Sequence, residues 1–211
     1  MINTGTTPSR DDSFTFVMSQ KLNNSGTLTE MYQIAKGASI SDVTISVKNG
    51  EVITVDSNWI ANDISTWATT AGFTTPTYAS ALSATPWSSI GTGASPFTFN
   101  SVTYDVRNFS CKVDQNPDRV QVVGQTGTNW IQATTREITV DVEIVYKDTT
   151  LIGDTKTMTA RTASFQLNST GPKTLSFVNM YLEAYDETVS ADDTSIKTIS
   201  YSGFAEQVSI N

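Results

Sequence analysis

The feature that most constrains the fold of this chain is the alternation in residues 135–148, TREITVDVEIVYKD. Successive side chains of a strand point to opposite faces, so apolar residues at every second position predict a strand with one buried face. The apolar positions are Ile138, Val140, Val142, Ile144 and Tyr146. The opposite face carries Thr139, Asp141 and Glu143, although acidic residues are depleted in strands. The stretch therefore predicts a strand between an apolar core and a surface that accepts two carboxylates.

A β-hairpin is predicted around Asn49-Gly50. This dipeptide supplies the two positive-φ positions of a type I′ turn, which joins antiparallel strands. Alternating apolar residues flank it on both sides, namely Val43, Ile45, Val47, Val52 or Ile53, and Val55. We expect the second strand to continue through Trp59 and Ala61 toward Ile64.

The rest of the chain is punctuated by turn residues at regular intervals, which favours short antiparallel strands. Strands are predicted in residues 14–19, 97–120, 120–134 and 163–210, with turns at 23–26 and 116–118. Residues 27–37 fit a strand or a helix, and 148–160 could hold a short helix. Residues 1–12 form a predicted flexible arm. Residues 66–100, rich in Ser, Thr, Ala, Gly and Pro, form a predicted long loop or insertion.

These patterns predict an all-β fold, mainly an antiparallel β-sandwich or partial barrel with long loops and at most one short helix. The 211 residues are enough for a substantial core, and we treat 1–211 as one domain.

Composition excludes several functions. The formal net charge is −8, so the basic surface that holds nucleic acid tightly is absent. The chain has no histidine and one cysteine, which removes a Ser-His-Asp triad and a Cys-rich zinc site. Cys111 alternates with Phe109 and Val113, which indicates a buried thiol. No apolar run reaches membrane-spanning length and no signal peptide is evident, so we expect no membrane partner.

Carboxylates offer the remaining chemistry. Asp141 and Glu143 share a strand face and could form a glycosidase pair. Acidic residues at Asp186, Glu187, Asp192 and Asp193 could hold Ca²⁺ through oxygen ligands. A solvated strand face and an acidic turn explain them more simply. We therefore expect no enzymatic activity, no cofactor and no metal.

Three stretches together resemble the tail tube (major tail) proteins of long-tailed viruses of bacteria or archaea. They are IAKGASISDVTISVKNGEVITVDSNWIANDIS (34–65), REITVDVEIVYKD (136–148) and KTLSFVNMYLEAYDETVSADDTSIKTISYSGFAEQV (173–208). The first is similar to the family's lead-in, hairpin and long strand. The last contains Tyr201, Ser202, Gly203, Phe204 and Ala205, similar to the ending of the family. Residues 66–100 depart from the pattern.

The resemblance implies a structural virion protein that assembles in the host cytoplasm. Its copies would form hexameric rings stacked into a hollow tail tube, bound to other tail proteins and linked by arms and loops. Viral DNA would cross the lumen during ejection without specific binding. A wide barrel needs a polar inner face, so the candidate lumen-lining residues are Thr44, Ser46, Thr54, Asp56, Thr139, Asp141 and Glu143.

Other functions remain open from the sequence. A receptor-binding or carbohydrate-binding β-sandwich could stack sugars on Trp67, Trp87 or Trp130. A capsid decoration protein, a tail terminator or another tube-like ring protein would share the predicted fold.

Overall fold

The computed structural model describes residues 14–48, 51, 53–69, 97–120, 123, 130–145, 150–167, 173–188 and 198–211. In these ranges the chain forms strands and one short helix. The first strands are β1 (Phe14–Asn24), β2 (Thr27–Lys48), β3 (Thr54–Ile60), β4 (Asp63–Ile64), β5 (Phe97–Phe99), β6 (Val102–Tyr104) and β7 (Val106–Asp114). They are followed by β8 (Pro117–Val120), β9 (Trp130–Ala133), β10 (Glu137–Val145), α1 (Thr150–Thr157), β11 (Arg161–Gln166), β12 (Thr174–Thr188) and β13 (Thr198–Ile210).

Most of the strands join one antiparallel sheet. Its order is β1-β2-β7-β10-β13-β12-β11-β5-β6. Strands β3 and β4 also pair with β2, outside this linear order. The two short strands β8 and β9 form a separate hairpin. The predicted all-β class with one short helix is confirmed.

The sheet curls until its two halves face each other across the core. The ring of Phe109 on β7 stacks on Phe165 of β11 with centroids 3.9 Å apart. Phe177 of β12 lies beside the same ring, at 6.3 Å. Strands β10, β13 and β12 form the closed side of the curl, and β3 and β6 lie at its open ends. Burial of these aromatic rings supplies a large part of the apolar area removed from water.

Strand β2 is 22 residues long and changes partners along its length. Its first half pairs with β1, and its second half pairs with β3 on one edge and β7 on the other. The change occurs near Gly37, whose φ of 59° places it in the left-handed region. A β-carbon there would lie 2.9 Å from Nδ2 of Asn62, so a larger residue would meet both backbone strain and a crowded side chain.

The predicted hairpin at Asn49-Gly50 is confirmed by the pairing of β2 with β3, in which Ser46 lies opposite Thr54. The Glu51 amide donates to the Lys48 carbonyl at 3.0 Å, which closes the hairpin. Asn49 and Gly50 themselves lie outside the described residues. The second strand breaks after Ile60 and resumes as β4, which reaches Ile64 as predicted.

The ambiguous stretch 27–37 is entirely strand, since β1 supplies it with a hydrogen-bonded partner. The predicted turn at Asn116-Pro117-Asp118 lies one residue earlier, because Asn116 takes a φ of 41° and Pro117 already begins β8. The predicted loop 66–100 extends too far, because Phe97 and Phe99 are buried members of β5. The arm 1–12 and residues 70–96 lie outside the described residues.

Helix α1 follows β10 and packs against β12. Leu151 enters the core, and Asp154 accepts two hydrogen bonds from the Arg161 guanidinium, at 2.8 and 3.1 Å. This fork-like pairing ties the middle of the helix to the start of β11. None of the described helical residues builds a helix long and apolar enough to cross a membrane.

Candidate functional site

The sheet presents one continuous polar face opposite the core, formed by β3, β2, β7, β10 and β13. Residues paired across neighbouring strands share a face, so the register groups them into rows. One row consists of Thr54, Ser46, Ser110, Asp141 and Ser202. The next consists of Asp56, Thr44, Lys112, Thr139 and Phe204. We call this surface the polar face.

Two outer rows complete the polar face. One contains Lys48, Asn108, Glu143 and Ser200, and the other contains Asn58, Asp42, Asp114 and Glu137. All seven residues that the sequence predicted as lumen-lining lie on this one face, although they come from three strands. The structure thus brings them together, while their position relative to a lumen stays a prediction.

Strand β10 shows why the face is polar. Its apolar side chains Ile138, Val140, Val142 and Ile144 are at most 2 % exposed and hold the core. Asp141 is exposed, and Thr139 and Glu143 are half-buried on the other side. The acidic residues therefore sit on the side of the strand where carboxylates keep their hydration, which avoids the large cost of burying a charge.

Glu143 is anchored by side chains from the neighbouring strand. Its Oε2 accepts a hydrogen bond from Nδ2 of Asn108. Its Oε1 lies 3.9 Å from the Arg107 guanidinium, which is more than half exposed. An ion pair so open to water contributes little to stability, so these contacts mainly fix the direction of the carboxylate.

Asp56 and Asp141, unlike Glu143, are not anchored by a neighbouring side chain that the structure describes. Among the described residues, neither carboxylate has a hydrogen-bond or ion-pair partner. Both lie on exposed positions of the polar face. Both carboxylates therefore face solvent, and no described cation of the subunit neutralises their charge.

Lys112 lies in the middle of the polar face and is surrounded by acidic groups. Its Nζ donates to Asp114 at 2.9 Å, and the backbone amide of Asn116 donates to the same carboxylate at 3.0 Å. The hydrogen bond with Asp114 raises the pKa of Lys112, and Asp42 and Glu137 add to this through their charge. The bond from Lys112 in turn lowers the pKa of Asp114. The cation is therefore compensated by neighbouring carboxylates.

A shallow depression of about 240 Å³ crosses the centre of the polar face. Its lining includes Lys48, Asp141 and Glu143 and four serines, which are Ser46, Ser110, Ser200 and Ser202. It is open to solvent, unlike the enclosed sites that bind small molecules. The arrangement suits contact with water and ions along a surface.

Sequence reasoning missed the contributions of β7 and β13. Ser110, Lys112 and Asp114 alternate with the buried Phe109 and Cys111, a signal that was available. Placing them between β2 and β10 requires the strand order, which periodicity does not supply. The predicted burial of Cys111 is confirmed, since it is 1 % exposed.

The alternative acidic site is only partly described. Asp186 and Glu187 belong to β12, while Asp192 and Asp193 lie outside the described residues. Within the described ranges, no three His, Cys, Asp or Glu side chains gather as a group that could hold a metal ion.

Comparison with known proteins gave one match to a family. The sequence profile of the phage tail tube protein family matches residues 2–203, nearly the whole chain. Among solved structures, Hcp1 from Flavobacterium johnsoniae matches with a TM-score of 0.40 and 16 % identity. That match covers 55 % of this chain and 93 % of Hcp1. No curated protein matches significantly.

Proposed function

This chain belongs to the phage tail tube protein family, and we propose that its copies form hexameric rings, stacked so that the polar face lines a lumen that conducts viral DNA. Membership makes it a structural protein of the virion tail that assembles with itself and with other tail proteins. The number of subunits, the acidic lumen and the passage of DNA are the proposed part.

The observation that carries the proposal is the polar face itself. Five neighbouring strands turn mostly polar side chains outward, with Phe204 at one end, and buried apolar residues back four of them, β2, β7, β10 and β13. A water-filled barrel needs this arrangement, because its inner surface faces solvent while its other surface holds the subunit core. Copies related by rotation can place their polar faces side by side around a closed ring.

The charge of the face suits a conduit. Its rows contain more carboxylates than cations. The cations are Lys48 and Lys112, and the carboxylates are Asp42, Asp56, Asp114, Glu137, Asp141 and Glu143. Lysines that release counterions from phosphates would hold DNA. Here Lys112 is compensated by Asp114, while Asp56 and Asp141 keep their charge free. Repulsion of like charges would keep the polymer off the wall.

Ring stacking would use the β1–β2 hairpin. From Met18 to Met31 the described backbone hydrogen bonds of this hairpin join its own two strands and nothing else. Leu28, near its tip, is 74 % exposed. An isolated two-stranded hairpin is at best marginally stable in water. A contact with a copy in the next ring would cover its apolar side chains and would extend the assembly without closing it.

Negative-stain electron microscopy of the purified protein tests the assembly. We expect hollow filaments about as wide as a viral tail, built from rings whose rotational averages show six-fold symmetry. Compact particles alone, at every concentration tried, would contradict the tube and favour a binding module. Tubes with another symmetry would correct the ring number and leave the conduit in place.

A further inference from the structure

The two ends of the polar face differ from its centre. Strand β3 forms one end, and its polar residues continue the rows of β2. Its other side carries Val55, which lies opposite Ile45. Ile45 is 8 % exposed, whereas Val55 is 62 % exposed. The buried core thus ends under β2. Strand β3 projects beyond it like a shelf, with its apolar side exposed to solvent.

Trp59 extends the same side of the shelf. It lies opposite Ile40, and its ring meets Phe16 edge-on with centroids 4.4 Å apart. It keeps 38 % of its surface exposed in spite of this contact. We call Val55 and Trp59 the β3 shelf.

The other end of the polar face carries an aromatic pair on its outward side. Phe204 of β13 continues the row of Thr139, and Tyr181 of β12 lies next to it. Their rings stack with centroids 4.8 Å apart at 18°. Val178 of β12 is exposed, in a stretch where β12 has one more residue than its partner β11 before the buried Met180. Asn179 in this stretch has a φ of 49°. Val178 is 44 % exposed. We call Val178, Tyr181 and Phe204 the aromatic patch.

We propose that the β3 shelf of one copy packs on the aromatic patch of the next copy around the ring. This inference rests on the proposed function, in which the polar face lines the lumen. A ring closed by rotation brings opposite ends of that face together, so the end at β3 must meet the end at β13 and β12. At the β13 end the exposed apolar groups lie on the polar face itself, and at the β3 end they lie on its reverse side.

The curl of the sheet gives the two surfaces matching shapes. Strands β10, β13 and β12 lie between β7 and β11, whose rings stack across the core, so they form the bend of the curl with the aromatic patch on its outside. The shelf projects from the open side, beyond the core. The outside of the bend in one copy can therefore rest on the shelf of its neighbour, which covers Val55 and Val178 together. Such a contact is heterologous, because each copy uses two different surfaces.

Two variants, each lacking one surface, test the junction. Val55→Asp leaves the aromatic patch intact, and Tyr181→Asp leaves the shelf intact. We expect each alone to lose rings and tubes and to have the mass of one subunit by native mass spectrometry. Mixed in equal amounts, they should form a complex of twice that mass and nothing larger, because only one intact junction is available. Circular dichroism confirms folding.

Val178→Asp repeats the experiment with a residue outside the aromatic stack, should Tyr181→Asp fail to fold. Met158→Asp is the matched control, since Met158 is 44 % exposed and lies outside both surfaces. It should assemble normally. Tubes formed by Val55→Asp, or a folded mixture that stays at the mass of one subunit, would overturn the junction and leave the tube standing. Wild-type protein that never forms rings would overturn both.

Discussion

Gly203 of β13 passes so close to the backbone carbonyl of Tyr181 on β12 that no β-carbon fits between them. The nearest atoms are backbone atoms of the partner strand, which cannot rotate away as a side chain can. The close approach lies next to a register irregularity between Leu182 and Ala184. Glycine in a strand often marks such a close approach of two backbones.

We therefore expect Gly203→Ala to destabilise the subunit by about 1–3 kcal/mol, through overpacking against a fixed backbone. Thermal unfolding measures this as a fall in Tm of roughly 2–4 °C per kcal/mol for a chain of this length. Gly153→Ala is the control, because Gly153 lies in α1 with nothing within 4 Å of its added β-carbon. It should gain about 0.5–1 kcal/mol from helix propensity. Equal effects at the two positions would contradict the close approach.

Cys111 should make the stability fall at high pH. Burial raises the pKa of its thiol from 9.0 to about 12. Between these values the unfolded chain releases the proton and the folded chain retains it. The free energy of unfolding should then drop by about 1.4 kcal/mol per pH unit above pH 9. Urea unfolding at pH 8 and pH 10.5 measures the drop, which should be about 2 kcal/mol smaller in Cys111→Ala. The same drop in both proteins would refute the prediction.

Reversing the free charges of the polar face should make the tube retain DNA. Asp56→Lys with Asp141→Lys changes two carboxylates that have no partner among the described residues, so folding and assembly should survive. Assembled tubes are mixed with labelled duplex DNA, and the DNA retained after sedimentation is measured. We expect retention that weakens steeply with salt, as counterion release requires.

The control for that experiment is Asp63→Lys with Asp118→Lys, which makes the same charge change at exposed positions outside the polar face. These tubes should retain no more DNA than the wild type. If both double variants retain equal amounts, the polar face does not line the lumen.

Shortening the β1–β2 hairpin should separate ring formation from stacking. Removing residues 21–30 and joining Gln20 to Met31 through Asn-Gly preserves the register, since these two residues are partners. The Tm should change by only a few degrees because the tip contacts nothing else that is described. Microscopy should show rings without tubes, and tubes of normal length would contradict the stacking role.

A length-preserving variant controls for the new turn. Ser25 and Gly26 have φ of 53° and 88°, so an Asn-Gly pair fits both positions of the existing turn. Replacing Ser25 by Asn should therefore leave tube formation unchanged.

Much of the fold could be predicted because its strongest signals are local. The alternation of β10 and the Asn49-Gly50 pair each encode a strand or a turn within a few residues. Residues 27–37 could not be decided in this way. Leu28, Met31 and Ile34 are spaced as on a helix, and the strand forms because β1 offers its backbone as a partner.

The candidate site was predictable in its strands and not in its arrangement. Thr44, Asp56 and Asp141 were identified from polar alternation, and the register places them on one face. Lys112 was missed because its position between β2 and β10 follows from tertiary pairing. Phe204 was missed for the opposite reason, since an apolar residue in a strand suggests the core and here lies on the outward side.

Strand β2 gives the assembly a mechanical property. One uninterrupted strand forms the second half of the hairpin and then, beyond Gly37, the wall beside β7. A pull on the hairpin therefore reaches the wall through covalent bonds and not through a hinge between separate parts. If hairpins join successive rings, the tube would stretch and bend as a continuous elastic rod, and a strain imposed at one end would be carried along its whole length.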